Sequence, residues 1–156
     1  MEYFAYGSNM CGPVMDYACE THRFLGAACL RGYRLAFMRR SLRTDTGVAD
    51  IVPDAGGTVW GTLYELERDQ LGLLNRKETL GSGYEHLDVL VQTRDGLSHH
   101  AMAYSVIAKE PAEVRPSLAY VQGLIQGAGE RLLPEDYIST LRTLLIDWSL
   151  ESLTPG

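Results

Sequence analysis

Cysteine is scarce in this sequence, and its spacing suits no framework. Cys11, Cys19 and Cys29 are the three cysteines of the 156 residues. Separations of eight and ten match neither zinc-ligand spacing nor a secreted disulfide scaffold, so free thiols and no metal are expected. No apolar run approaches the roughly 20 residues of a membrane helix, and the start lacks the basic segment and apolar stretch of a signal peptide. A cytoplasmic protein without a membrane partner is expected. Basic residues are outnumbered, 14 against 20 acidic ones, for a formal net charge of −6. Nucleic-acid affinity depends on basic residues that displace counterions, so no nucleic-acid partner is expected; the balance suits a neutral or cationic ligand.

Familiar phosphate and hydrolase motifs are missing as well. Gly123, Gly127 and Gly129 follow a helical pattern, where they read as a helix stop rather than a dinucleotide loop, and no Walker-type Gly-Lys-Ser/Thr occurs. Gly81-Ser82-Gly83 lacks the Gly-x-Ser-x-Gly spacing of a nucleophile elbow. Without a repeat, a low-complexity tract or a linker, residues 1–156 read as a single domain.

What the chain does have is an opening run, Tyr3-Phe4-Ala5-Tyr6-Gly7-Ser8-Asn9-Met10, in which an aromatic strand pattern ends abruptly in a small polar loop. Converging N–H groups in such a loop form a donor site for a carboxylate or an oxyanion. A short helix with Pro13 in its first turn is expected within 11–21, then a strand over 24–38. Arg31, Arg34, Arg39, Arg40 and Arg43 make one basic stretch, read as a charged strand edge and loop or else as an anion site. The composition of 39–47 permits motion over a cavity. Runs 48–52 and 58–64 around Pro53-Asp54-Ala55-Gly56-Gly57 predict a hairpin, and Gly61 between bulky neighbours predicts a bulge or a close backbone approach.

The spacing predicts a helix over 67–78, with Leu71, Leu74 and Glu78 on one face. A carboxylate continuing a buried helical face is unusual and suited to proton transfer, although a helix frayed by Lys77 would turn Glu78 to water. Residues 84–92 and 99–107 predict a second hairpin through Asp95-Gly96. Pro116-Ser117 opens a helix carrying Leu118, Val121, Leu124 and Ile125, stopped by Gly127 and Gly129. Pro134 opens another, with Tyr137, Leu141, Leu144, Leu145 and Trp148 apolar and a loose tail after Leu150. Cys11 beside the opening loop is a candidate nucleophile if His22, His86, His99 or His100 meets it; the tandem His99 and His100 point to opposite strand faces and suit no shared metal.

Four stretches in order resemble the gamma-glutamylcyclotransferase-like proteins. They are Tyr3 to Met10, Gly57-Thr58-Val59-Trp60-Gly61, Leu74 to Tyr84, and Pro116-Ser117-Leu118-Ala119-Tyr120 leading to Gly127-Ala128 and Leu133-Pro134. The resemblance spans 3 to about 145 and implies an α+β fold, a small mixed beta-barrel-like sheet flanked by helices around one cavity. It implies cyclisation of a gamma-glutamyl amide to 5-oxoproline without a cofactor, with Glu78 as the catalytic acid and base. The glutamyl head is expected against Tyr3, Phe4, Ala5, Tyr6, Gly7, Ser8 and Asn9, with Tyr120 contributing and Tyr84 a further candidate. The chain departs from the family at Asn75 and Thr79, where Asp and Gly are usual. Glu85 and Asp88 are candidates to favour a cationic leaving amine. A non-catalytic small-ligand module on the same fold and a cysteine hydrolase using Cys11 are the alternatives.

Overall fold

A computed structural model describes residues 1–153, with side-chain surroundings through residue 147; Trp148 lies outside the latter. Five strands close into a mixed barrel in the order β1-β3-β2-β4-β5. β1 (Glu2–Ala5) runs antiparallel to β3 (Gly47–Leu66) and meets β5 (Ser98–Val106) in parallel at Tyr3 and Met102. β2 (His22–Arg40) pairs with β3 on one side and β4 (Tyr84–Thr93) on the other, and β4 pairs with β5 through the expected hairpin.

Period-two side-chain alternation splits the core into two clusters. Phe4, Ile51, Val59, Leu63 and Val91 pack with Leu124, Ile138 and Leu141 of the C-terminal helices and with Leu133 in the connection between them. Tyr3, Ala5, Tyr64, Leu66 and Met102 pack with Met15 and Leu74 of the earlier ones. These helices are α1 (Gly12–Ala18), α2 (Arg68–Lys77), α3 (Leu118–Glu130) and α4 (Glu135–Leu153). Pro13 sits in the first turn of α1, where its missing N–H costs nothing, and Ser117 caps α3 by accepting from the Tyr120 N–H at 3.0 Å.

Three expectations are corrected. Residues 48–52 and 58–64 do not fold back on each other; they are one 20-residue strand that pairs with β2 from Gly47 to Leu66. Pro53-Asp54-Ala55-Gly56-Gly57 is a bulge, since Tyr33 pairs with Pro53 and Arg31 with Thr58, so that 54–57 face Gly32 alone. Gly57 belongs there because a Cβ would lie 2.3 Å from the Tyr33 carbonyl oxygen. Second, α3 continues through Gly127 and Gly129 to Glu130. Gly127 serves close packing instead, a Cβ there falling 3.0 Å from the Cys11 backbone nitrogen. Third, α4 extends past Leu150 to Leu153.

Gly61 makes the close approach its setting suggests: a Cβ would lie 2.3 Å from the Ala5 carbonyl oxygen and 2.9 Å from the Phe4 ring. The contact seats β1 against β3. Gly61→Ala is therefore expected to destabilise the fold by about 1–3 kcal/mol, the usual range for overpacking. Urea denaturation with an unchanged m-value would check it.

Candidate functional site

The opening strand stops where it leaves the barrel, and residues Ser8–Met10 form a 3₁₀ turn at the rim. The N–H groups that start such a turn have no partner inside it and point outward as donors. Beside the turn lies a cavity of about 170 Å³. Tyr3, Tyr6, Gly7, Ser8 and Asn9 line it from the opening segment, Lys77 and Glu78 from the end of α2. Arg39, Val48 and Ala49 come from the β2–β3 ribbon, and Tyr84, Tyr104 and Tyr120 from three further elements.

Both readings of Glu78 contain part of the outcome. The helix does end at Lys77, yet Glu78, as its C-cap, keeps its side chain on the buried side, 17% exposed. Asn9 is the group that engages it. The Asn9 Nδ2 donates to Glu78 Oε1 at 3.1 Å and to the Tyr3 hydroxyl at 2.9 Å, while Lys77 Nζ donates to Asn9 Oδ1. Lys77 also stands 3.8 Å from Glu78 Oε1. An ammonium on the oxygen side of the amide fixes its nitrogen toward the carboxylate. Behind the turn, the Tyr64 hydroxyl donates to the Asn9 carbonyl at 2.9 Å.

A ring of phenols forms the rest of the wall. Tyr84 donates to the Ala49 carbonyl at 3.0 Å, and the Tyr120 hydroxyl accepts from the Ala49 N–H at 3.1 Å. Tyr104 donates to Asn75 Oδ1 at 2.6 Å, and the Tyr6 hydroxyl donates to the Tyr104 carbonyl. Burial pushes the phenols of Tyr3, Tyr6, Tyr84 and Tyr104 up, with the Glu78 carboxylate adding to it at Tyr3, Tyr84 and Tyr104. Tyr120 is pushed up to about 12, again mainly by burial. These hydroxyls therefore stay protonated and act as neutral donors. Burial pushes the Lys77 ammonium down, and neighbouring Glu78 works against that shift.

Each departure from the family pattern has a local setting. Asn75 Oδ1 accepts from Tyr104 and lies 2.8 Å from His86 Nε2, so it anchors the wall beneath Glu78. Thr79 has φ +49°, a left-handed conformation that β-branched residues resist and glycine adopts freely. The chain turns there all the same, held by bonds from the Ser82 and Gly83 N–H groups to the Thr79 carbonyl.

Most residues singled out from sequence converge on the cavity: Glu78, Tyr3, Tyr6, Gly7, Ser8, Asn9, Tyr84 and Tyr120. Phe4 and Ala5 do not, since both side chains are buried in the two core clusters. Glu85 and Asp88 also lie elsewhere: Glu85 is exposed on β4, and Asp88 borders a separate surface depression with Glu2 and His100. Cys11 is not in the lining, and the histidines have other neighbours: His22 has the Cys19 carbonyl, His86 has Asn75, and His99 has Glu2. Sequence reasoning missed Arg39, Lys77 and Tyr104 as lining residues. Only Arg39 carried a signal, as part of the basic stretch. Among the described residues no cluster of His, Cys, Asp and Glu could hold a metal ion, and no helix is long and apolar enough to cross a membrane.

Residues 58–141, just over half of the sequence, match the AIG2-like family. The chain belongs to that family. Its similarity to gamma-glutamylcyclotransferase-like members extends further along the chain. It is 29% identical to gamma-glutamylcyclotransferase of Bos taurus over 91% of this chain and 77% of that one. It is 33% identical to the putative gamma-glutamylcyclotransferase YkqA of Bacillus subtilis over 85% of this chain, but only 48% of that longer protein. A solved structure of a gamma-glutamyl cyclotransferase superposes with a TM-score of 0.86 at 28% identity, covering 91% of this chain and 86% of the other. The closed mixed barrel with its helices is thus the gamma-glutamyl cyclotransferase fold.

Two measurements follow from the geometry of this family member. Thr79→Gly is expected to raise stability by about 1 kcal/mol by relieving the left-handed strain, read as an increase in thermal midpoint. The phenols set the alkaline limit. Above pH 10 the unfolded chain releases tyrosine protons that the folded chain retains, so stability falls as pH rises from about 10. Lys77 acts with the opposite sign, since its lowered pKa makes the folded state the earlier to deprotonate. Absorbance at 295 nm should show the shifted phenols ionising together with loss of the fold; smooth reversible titration of all the tyrosines near pH 10 would contradict this.

Proposed function

We propose that this protein is a gamma-glutamyl cyclotransferase that converts a gamma-glutamyl amide to 5-oxoproline and a free amine. The observation that carries the reading is the meeting of Glu78, held by Asn9, with the open donors of the Ser8–Met10 turn across one small cavity. The names of its relatives point to the same reaction class.

The chemistry fits these residues. Nucleophile and electrophile belong to one molecule, so holding the substrate folded supplies most of the acceleration; effective molarities of about 10⁵–10⁸ M are known for such reactions. The Glu78 carboxylate takes a proton from the substrate's α-ammonium. The freed amine attacks the γ-carbonyl carbon, forming the ring C–N bond, and negative charge moves to the carbonyl oxygen. Backbone N–H groups at Gly7, Ser8 and Asn9 receive that charge, a donor of this kind contributing about 3–4 kcal/mol. Glu78 then returns its proton to the leaving nitrogen as the original amide C–N bond breaks, and the second proton shed by the ring nitrogen passes by way of the same carboxylate to the released amine, which departs as its ammonium. The Tyr3 and Tyr120 hydroxyls, which accept from Asn9 and Ala49 and keep their own protons free, orient the glutamyl head by donation, while Tyr6, Tyr84 and Tyr104 hold the wall in place. The leaving group is an amino acid, a peptide, a lysine side chain or a larger amine such as an aminoglycoside; these members of one reaction class are separated by a substrate panel.

Glu78→Gln keeps the shape and removes the proton carrier. It is expected to lower kcat for 5-oxoproline release by about 10²–10⁴ while leaving thermal stability close to that of the parent. Cys11→Ser should stay active, because Cys11 lies outside the cavity lining. Activity retained in Glu78→Gln, or lost in a folded Cys11→Ser, would overturn the assignment. A parent that binds gamma-glutamyl amides without releasing 5-oxoproline would indicate the non-catalytic module.

A further inference from the structure

We propose that Arg39 is the carboxylate anchor of the cavity and sets its preference for substrates bearing that group. The inference rests on the cyclisation reading and adds a charge requirement to it. Arg39 is half-buried in the lining, with its Cζ 5.1 Å from the Tyr84 ring centroid. The Tyr84 ring is itself fixed by the bond from its hydroxyl to Ala49. Gly83 forms the other side of the seat: a Cβ there would lie 2.3 Å from Thr79 Oγ1 and 2.6 Å from the Arg39 Cζ, so the guanidinium lies directly against the glycine backbone. The position is therefore built.

Its charge has no protein counterpart among the described residues. Of the neighbouring arginines, Arg34 lies 3.8 Å from Glu113 and Arg40 lies 3.3 Å from Asp45, both pairs well exposed, while Arg31 and Arg43 are exposed to water. A guanidinium is always charged, and partial burial without an anion is unfavourable unless a ligand supplies one. Arginine also matches a carboxylate in a planar, two-bond geometry.

The rest of the lining agrees in sign. Arg39 and Lys77 are cations and Glu78 is the one carboxylate among the lining residues, so the cavity has the opposite sign to a chain of net charge −6. Walls of low dielectric strengthen such a local field. With Glu85 and Asp88 elsewhere, no second carboxylate is in the lining to receive a cationic leaving amine. The carboxylate that Arg39 takes has two chemical sources: the α-carboxylate of the glutamyl head, or the carboxylate of a leaving amino acid.

Three substrates separate the sources: gamma-glutamyl-alanine, gamma-glutamyl-ethylamine, which lacks the leaving carboxylate, and gamma-glutamyl-alanine amidated at the head carboxyl. They are assayed on the parent, Arg39→Gln and Arg39→Lys, with thermal midpoints recorded. Removing the carboxylate that Arg39 holds is expected to raise the parent's KM about tenfold or more, with a smaller effect on kcat. Arg39→Gln should raise KM similarly for the complete substrate and add nothing for the substrate already lacking that carboxylate. Arg39→Lys should recover part of the loss. Unchanged KM values in a folded Arg39→Gln, or an equal loss on all three substrates, would overturn the proposal. Calorimetry of the same ligands, with and without Arg39→Gln in a Glu78→Gln background, tests the anchor without turnover. Absence of 5-oxoproline release from the parent counts against the reaction, whereas binding indifferent to Arg39 counts against the anchor.

Discussion

The site depends on a strand of four residues gripped from both sides. β1 pairs antiparallel with β3 from Glu2 through Ala5 and touches β5 in parallel at Tyr3. Closing the barrel at this seam leaves no open edge and places the end of β1 at the rim, where the chain turns at Gly7. Without Gly61 the strand could not lie so close to β3, and Asn9 would not be delivered to Glu78. Barrel closure and site assembly are thus one packing problem.

Lysine use shows how charge is placed around that seam. The sequence contains two lysines, Lys77 and Lys109. Lys77 orients Asn9, and Lys109 neutralises Asp50, whose fully buried carboxylate it meets at 2.6 Å. Asp50 also accepts from the Ile51 and Val106 N–H groups, tying the end of β5 to the strand that carries Ala49. Both ammonium groups hold parts of the cavity wall in place, leaving arginine to supply most of the exposed positive charge.

Local signals revealed much of this in the sequence. The strand-to-turn pattern at Tyr3 to Asn9, the second hairpin at Asp95-Gly96 and the face shared by Leu74 and Glu78 all depend on short spacings, which patterns report well. Tertiary context decided the rest. Pro53 and the glycines after it looked like a reversal because the same residues make a turn or a bulge, and the partner strand selects between them. Gly127 looked like a helix stop because nothing local shows that Cys11 packs against it. Phe4 and Ala5 fell within the matching motif, yet strand alternation turns Phe4 to the face opposite Tyr3, and Ala5, on Tyr3's own face, has only a methyl group, which is packed in the core. Arg39 sits among four other arginines on or beside one ribbon, and only the fold distinguishes the one seated over Tyr84.

The stretch from Arg39 to Gly47 has the composition of a movable flap but is tied at many points. Ser41 and Thr46 are bonded across the turn, Gly47 donates to the Arg115 carbonyl at 2.8 Å, and Val114 donates back to Phe37 at 2.8 Å. A Cβ on Gly47 would fall 1.9 Å from the Val114 carbonyl oxygen, so the segment at Val114 and Arg115 and the β2–β3 ribbon interlock. The consequence appears in the entropy of association. A wall ordered during folding need not be ordered again when a ligand arrives, so the loss of freedom on binding falls mainly on the flexible glutamyl chain, which must curl before it can close into a ring.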